Sequence, residues 1–227
     1  MIAEIVFLSL KVATLAMVLV VPASIMIGRF LSIDSPTGGF GLKVIVSALV
    51  HLPLVLPPVV TGYFLLLVFG RNGPIGSVLE TIGLGLTFHW TGAALAAALM
   101  ALPLVVRPIR LAFEAIDPEL ENMAALLGAG RARRFATIVL PLAWPGILAG
   151  FVLGFAKALG EFGATITFVS NIPGETQTLS LAIYTLLQSP RGDSAALTLI
   201  GISIVLSFAA ILASEWMTNS SRRRLEQ

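Results

Sequence analysis

The chain has 227 residues, of which 57% are hydrophobic and 11% charged. A soluble domain carries about 25% charged residues, so this composition excludes a water-soluble globular fold and points to an integral membrane protein. Cysteine is absent and the formal net charge is +2, which excludes disulfide and thiolate chemistry and makes the placement of the basic residues matter more than their sum.

A membrane-crossing helix needs roughly 20 mostly apolar residues. Long continuous runs favour helices over a barrel, whose strands alternate in shorter segments. Five segments qualify, at about 5–31, 44–69, 90–110, 138–160 and 196–217, so the expectation is an all-α membrane protein with one transmembrane domain over 1–227. The first segment is interrupted by Lys11 and Pro22, and it follows a start that holds Glu4 and no basic residue. A signal peptide opens with positive charge, so this segment reads as a retained anchor. The second carries Pro53, Pro57 and Pro58, with Gly62 close behind and His51 one turn ahead. Proline removes a backbone donor and kinks helices, and broken helices recur beside transport paths. Path lining and a structural kink both fit. For His51, a hydrogen bond between helices is the expected role.

The fourth segment repeats Gly146, Gly150 and Gly154 with Ala158 in phase, a small-residue face that allows close helix approach, either within the chain or between copies. Lys157 and Glu161 stand four apart near its end, a spacing that permits an ion pair where an isolated charge would be costly. Between the last two segments, 161–193 is mixed in character. Residues 162–170 can partly re-enter the membrane, and 179–187 reads as a short surface helix. Thr165, Thr167, Ser170, Asn171, Thr176 and Thr178 could donate to an oxyanion, although an ordinary polar external loop accounts for them equally.

Basic residues set the orientation. Arg29, Lys43, Arg107, Arg110, Arg131, Arg133, Arg134, Arg222, Arg223 and Arg224 fall on one side, against Arg71 and Arg191 on the other. The positive-inside bias puts the N-terminus outside, and the loop 111–137 and the C-terminus in the cytoplasm. That loop holds a sharply written short helix. Asp117 is a good N-cap followed by Pro118 at the first helical position. Glu119 and Glu121 face the positive end of the helix dipole. Leu120, Met123, Ala124 and Leu127 form one apolar stripe, and Gly128 occupies the place of a left-handed helix end. So short a helix must pack against something: lipid headgroups, or a soluble partner.

The run "NMAALLGAGRARRFATIVLP" resembles the loop of binding-protein-dependent ABC importer permeases that reads Glu-Ala-Ala, three residues, Gly, nine residues, Ile-x-Leu-Pro. Ala124, Gly128, Ile138, Leu140 and Pro141 fit the spacing, while Asn122 and Met123 depart from it and Glu121 lies one step out of register. The resemblance implies a type I ABC importer permease-like fold in the cytoplasmic (inner) membrane. It further implies that Glu121, Asn122, Met123, Ala124, Leu127, Gly128 and Ala129 couple to a separate ATPase subunit, and that the chain works as a homodimer with an extracytoplasmic binding protein. The stretches "HLPLVLPPVV" and "GATITFVSNIPGET" are similar to permeases of molybdate importers, with sulfate and thiosulfate permeases sharing the Gly-Glu-Phe/Tyr-Gly core. Molybdate, with tungstate tolerated, is the substrate this implies. Pro57, Pro58, Glu161, Gly163, Thr165 and Thr167 become candidates for the path or its external gate.

An enzymatic reading lacks its parts. His51 and His89 lie in separate segments, and there is no His-Glu-x-x-His pattern and no phosphate-binding Gly-x-x-x-x-Gly-Lys. No cofactor or metal is implied and no nucleic acid, and ATP hydrolysis falls to a partner chain.

Overall fold

Small side chains decide which helix sits at the centre. The helix Trp90–Glu114 carries alanines at 93, 94, 96, 97, 98 and 101, all of them buried, and such a surface lets neighbouring backbones close in from several sides. The computed structural model describes residues 2–33, 40–190 and 192–225, and within these the chain forms α1 Ile2–Ser32, α2 Phe40–Val55, α3 Pro58–Phe69, α4 Gly76–Thr81, α5 Trp90–Glu114, α6 Pro118–Leu126, α7 Arg131–Arg134, a π-helical turn Phe135–Val139, α8 Leu140–Leu159, α9 Gly163–Val169, α10 Leu179–Leu187 and α11 Asp193–Leu225. Arg191 lies outside the described residues, as do the side chains of Glu215, Arg222, Arg223 and Arg224.

α1 lies along α5 through Val12, Ala13, Ala16, Met17 and Val20, all buried. α8 lies along α5 through its glycine ridge. A Cβ at Gly146 would come 2.4 Å from the Ala112 Cβ, one at Gly150 2.9 Å from the Val105 carbonyl, and one at Gly154 2.4 Å from a Val105 methyl. The ridge therefore serves contact within the chain. α11 is peripheral: 11% of its span is buried, against 67% for α5.

Among the described residues, four helices are long and apolar enough to cross a membrane: Ile2–Ser32, Trp90–Glu114, Arg131–Leu159 and Asp193–Leu212. The expected second span, 44–69, is not one helix. It breaks into α2 and α3, bent by 116°, and counts as a fifth crossing only if the bent pair is one span. The cause is local. The ring of Pro58 pushes Pro57 out of the helical region, to φ −54° and ψ 133°, and Pro58 then starts α3, where its missing N–H costs nothing. The isolated prolines behave otherwise: Pro22, Pro53, Pro103 and Pro108 all lie inside continuous helices.

Two charges expected at membrane depth find partners. Lys11 lies 3.6 Å above the Trp90 ring, a cation–π contact at the start of α5. Lys157 Nζ donates to Glu161 Oε2 at 2.6 Å, as its spacing suggested. His51, expected to bond another helix, donates through Nδ1 to the Ser47 carbonyl of its own helix at 2.7 Å. α10 is also less superficial than its sequence suggested. Leu179 and Ala182 pack with Ile5 and Leu199, and the Leu179 N–H donates to Ser9 Oγ of α1 at 2.7 Å.

Candidate functional site

The loop after α5 is built as its sequence reads. Asp117, extended at φ −62° and ψ 120°, accepts from the Glu119 N–H at 2.9 Å. At the other end Gly128 has φ +84°. The Gly128 N–H reaches the Ala125 carbonyl and the Ala129 N–H reaches the Ala124 carbonyl, both at 3.0 Å. That pair of bonds is the Schellman ending, which saturates the last carbonyls of the helix and needs a left-handed residue.

α6 contains no buried residue. Leu126 and Leu127 are 89% and 88% exposed and Met123 is 62% exposed, with Leu120 beside them. The apolar face therefore differs by one member from the stripe read in the sequence. Ala124 turns partly inward, and Leu126, which sequence reasoning missed, joins the exposed set. The inner face is marked by Glu121, whose carboxylate accepts from Arg29 Nη2 at 2.6 and 2.8 Å. The neighbouring Asn122 is exposed. Arg134 Nη1 donates to the Glu121 carbonyl at 3.1 Å, tying the loop to the helix that leads into α8.

The other candidate element is the crossing of α3 with α9. A Cβ on Gly62 would lie 2.5 Å from the Ala164 carbonyl and 2.9 Å from the Thr167 Cβ, and one on Gly163 would lie 2.8 Å from the Pro58 Cβ. Pro58, Gly163 and Thr167 thus meet at one close backbone contact, on the far side of the break at Pro57. Thr167 donates its hydroxyl to the Gly163 carbonyl at 2.9 Å, while Thr165 is fully packed at 1% exposure. Glu161, 2% exposed, turns one carboxylate oxygen to Lys157 and accepts from the Ala164 N–H with the other at 3.0 Å. It pins the start of α9 to the end of α8.

Of the groups considered as oxyanion donors, Thr167, Asn171 and Thr176 are committed within their own region, whereas the buried Thr178 Oγ1 has no hydrogen-bond partner among the described residues. Thr176, fully buried, accepts from the Ile172 N–H at 2.9 Å and donates to the Ser170 carbonyl at 3.2 Å. Asn171 donates to Thr185 Oγ1 at 2.6 Å. His89 caps α5 through Thr91, and its Nε2 lies 3.4 Å from Glu175 Oε1, an exposed approach of the loop to the start of α5.

Residues 24–223 match the family model described as binding-protein-dependent transport system inner membrane component. The chain belongs to this family. Within it, the chain is 53% identical over 220 residues to the molybdenum transport system permease protein ModB of Escherichia coli K12, covering 96% of this chain and 94% of that protein. The Haemophilus influenzae protein of the same name is 49% identical, covering 97% and 95%. The sulfate transport system permease protein CysT of Salmonella typhimurium is 36% identical, covering 74% of this chain and 61% of that one. Among solved structures, a bacterial ABC transporter that imports the acidic polysaccharide alginate superposes with a TM-score of 0.74 at 21% identity, covering 96% of this chain and 79% of that one. The MetNI methionine ABC transporter superposes with a TM-score of 0.75 at 14% identity, covering 97% and 95%. These likenesses show that the family member has the fold of an ABC importer permease.

Proposed function

We propose that the chain is the permease subunit of an ATP-driven importer that carries molybdate, with tungstate tolerated, across the cytoplasmic membrane by alternating access. The observation that carries this reading is the 53% identity, across nearly the whole chain, to a molybdenum transport permease. The docking partner is an ABC ATPase subunit, since this sequence has no phosphate-binding loop of its own. α6 offers it an apolar knob of Leu120, Met123, Leu126 and Leu127, with Asn122, Gly128 and Ala129 around it and Glu121 and Ala124 at its base. An extracytoplasmic molybdate-binding protein supplies high affinity, two copies of the chain enclose the path, and the remaining apolar faces meet lipid. The α3–α9 crossing, with Pro57, Pro58, Gly163, Thr165 and Thr167, is the candidate gate, and the Lys157–Glu161 pair fixes its frame. Thr167 and Thr176 already spend their hydroxyls within the chain, so the path itself holds the anion only weakly.

The test is reconstitution of the permease with its ATPase and binding protein in proteoliposomes. Molybdate is expected to stimulate ATP hydrolysis and accumulate inside, and a hundredfold excess of unlabelled sulfate, on the order of the concentration that overcomes about 3 kcal/mol of selectivity, should leave uptake intact. Sulfate uptake without molybdate uptake would favour the alternative suggested by the CysT likeness.

Orientation, with the N-terminus outside and the loop 111–137 cytoplasmic, is tested by single cysteines in this cysteine-free chain. Pro173→Cys, in the exposed outer turn, should react with a membrane-impermeant maleimide in intact cells, and Ala132→Cys should not. Thr176 is unsuitable because it is fully buried.

A further inference from the structure

We propose that Glu121 is a positioning residue that fastens the docking helix to the membrane body, handing displacement of α6 to α1 through Arg29. The proposal rests on the docking reading above and adds to it a route of force within the chain. Four observations carry it. Both oxygens of the Glu121 carboxylate accept from one guanidinium nitrogen of Arg29, at 2.6 and 2.8 Å, across 92 residues of sequence. Both side chains are about three-quarters buried, at 25% and 24% exposure, so solvent screens the pair less than it would a surface bridge. The Glu121 main chain is held as well, by Arg134 from α7. Finally, no residue of α6 is fully buried and only Glu121 and Ala124 turn partly inward, so its angle to the membrane body depends on this anchor more than on packing.

Arg29 is well placed to receive the load. It closes the last turn of α1, and its guanidinium sits 6.0 Å from the Phe113 ring near the end of α5. Phe113 in turn meets Phe135, at the start of the π-helical turn, with ring centroids 6.3 Å apart. One residue of the loop is thereby joined to the cytoplasmic ends of three long helices. α1 runs unbroken from that end to Ile5, which packs with Leu179 of α10, so a tilt imposed at Arg29 reaches the opposite end of the protein along a single rigid element. The position that the loop motif gives to an acid is here the exposed, uncharged Asn122. The acid one step earlier faces the chain's own body instead of a partner.

The experiment uses the complete importer in proteoliposomes, reading ATPase co-purification and molybdate imported per ATP hydrolysed. Glu121→Gln and Arg29→Gln should each retain the ATPase subunit yet lower import per ATP on the order of fivefold, the low end of typical coupling between sites. The reversed pair, Arg29→Glu with Glu121→Arg, should recover at least half of the loss. Arg29 lies away from the apolar knob, so matching losses from both ends of the pair identify the anchor. Unchanged import per ATP in both single variants would overturn the proposal. So would loss of ATPase binding in Glu121→Gln alone, which would make Glu121 a partner contact. Failure of the docking reading itself is seen separately, as normal ATPase co-purification with Leu127→Asp.

Discussion

Gly128 gives the sharpest test of whether the shape of α6, and not merely its presence, couples the permease to its ATPase. The residue sits at φ +84° with nothing within 4 Å of where a Cβ would stand, so a side chain there meets no steric obstacle and the whole cost is conformational. Forcing an ordinary residue into the left-handed region costs about 1–2 kcal/mol. Asparagine tolerates that region better than alanine does, and a β-branched residue tolerates it least. The alternative to strain is to leave the conformation, which gives up the two Schellman bonds at Ala124 and Ala125, each worth about 1 kcal/mol net. Since α6 buries no residue to resist fraying, a penalty of this size lowers the docking-competent population by roughly 5- to 30-fold, and apparent ATPase affinity falls with it. The series Gly128→Asn, Gly128→Ala and Gly128→Val, read by ATPase co-purification and molybdate uptake, should lose both activities in that order at equal membrane levels. If asparagine proves as harmful as valine, or valine is harmless, left-handed geometry is not what the site requires.

Two further perturbations probe the membrane region. Gly62→Ala should reduce transport while sparing ATPase binding, because its Cβ would press on the Ala164 carbonyl at 2.5 Å and overpacking costs about 1–3 kcal/mol. Normal uptake by that variant would remove the α3–α9 crossing from the transport path. Lys157→Met should lower the detergent melting temperature, since it leaves the 2%-exposed Glu161 without its cation, whereas Lys157→Met with Glu161→Gln should restore most of the loss. A double variant no more stable than the single one would mean the pair is not a structural unit.

What could be read from the sequence divides by distance along the chain. The caps of α6 are written in neighbouring residues, and Asp117, Pro118 and Gly128 behave as their chemistry dictates. The Lys157–Glu161 pair was legible for the same reason, being one helical turn long. The prolines at 57 and 58 announced the break, but the partner that α3 meets beyond it, through a close contact between Gly62 and Ala164 of α9, is something no local pattern encodes. The glycine ridge of α8 was visible as a surface without an owner, and only the packing against Val105 and Pro108 assigns it to α5. Glu121 read as a first-turn acid, one step out of register with the loop motif and grouped with the coupling residues. Its inward orientation depends on Arg29, 92 positions away. Residue type advertises the hydroxyls of 165–178 as donors, but not that the turn consumes those of Thr167 and Thr176 and leaves the buried Thr178 hydroxyl unpaired.

The π-helical turn at Phe135–Val139 joins the short helices α6 and α7 to the long helix α8. There the Leu140 N–H bonds to the Phe135 carbonyl, one residue further back than in an α-helix. Such a turn holds one surplus residue, and each residue of an α-helix advances about 100° around the axis. Arg134, which grips Glu121, and the ridge of Gly146, Gly150 and Gly154 are therefore clocked relative to each other by that surplus. Deleting one residue from this turn should let the helix relax to α geometry and stay in the membrane, but with its arginines swung away from the loop. Electron paramagnetic resonance distances between labels at 132 and 120 would register that swing. A surplus residue can also migrate along a helix by exchanging one hydrogen bond at a time, which lets the two ends of a span rotate against each other without breaking it.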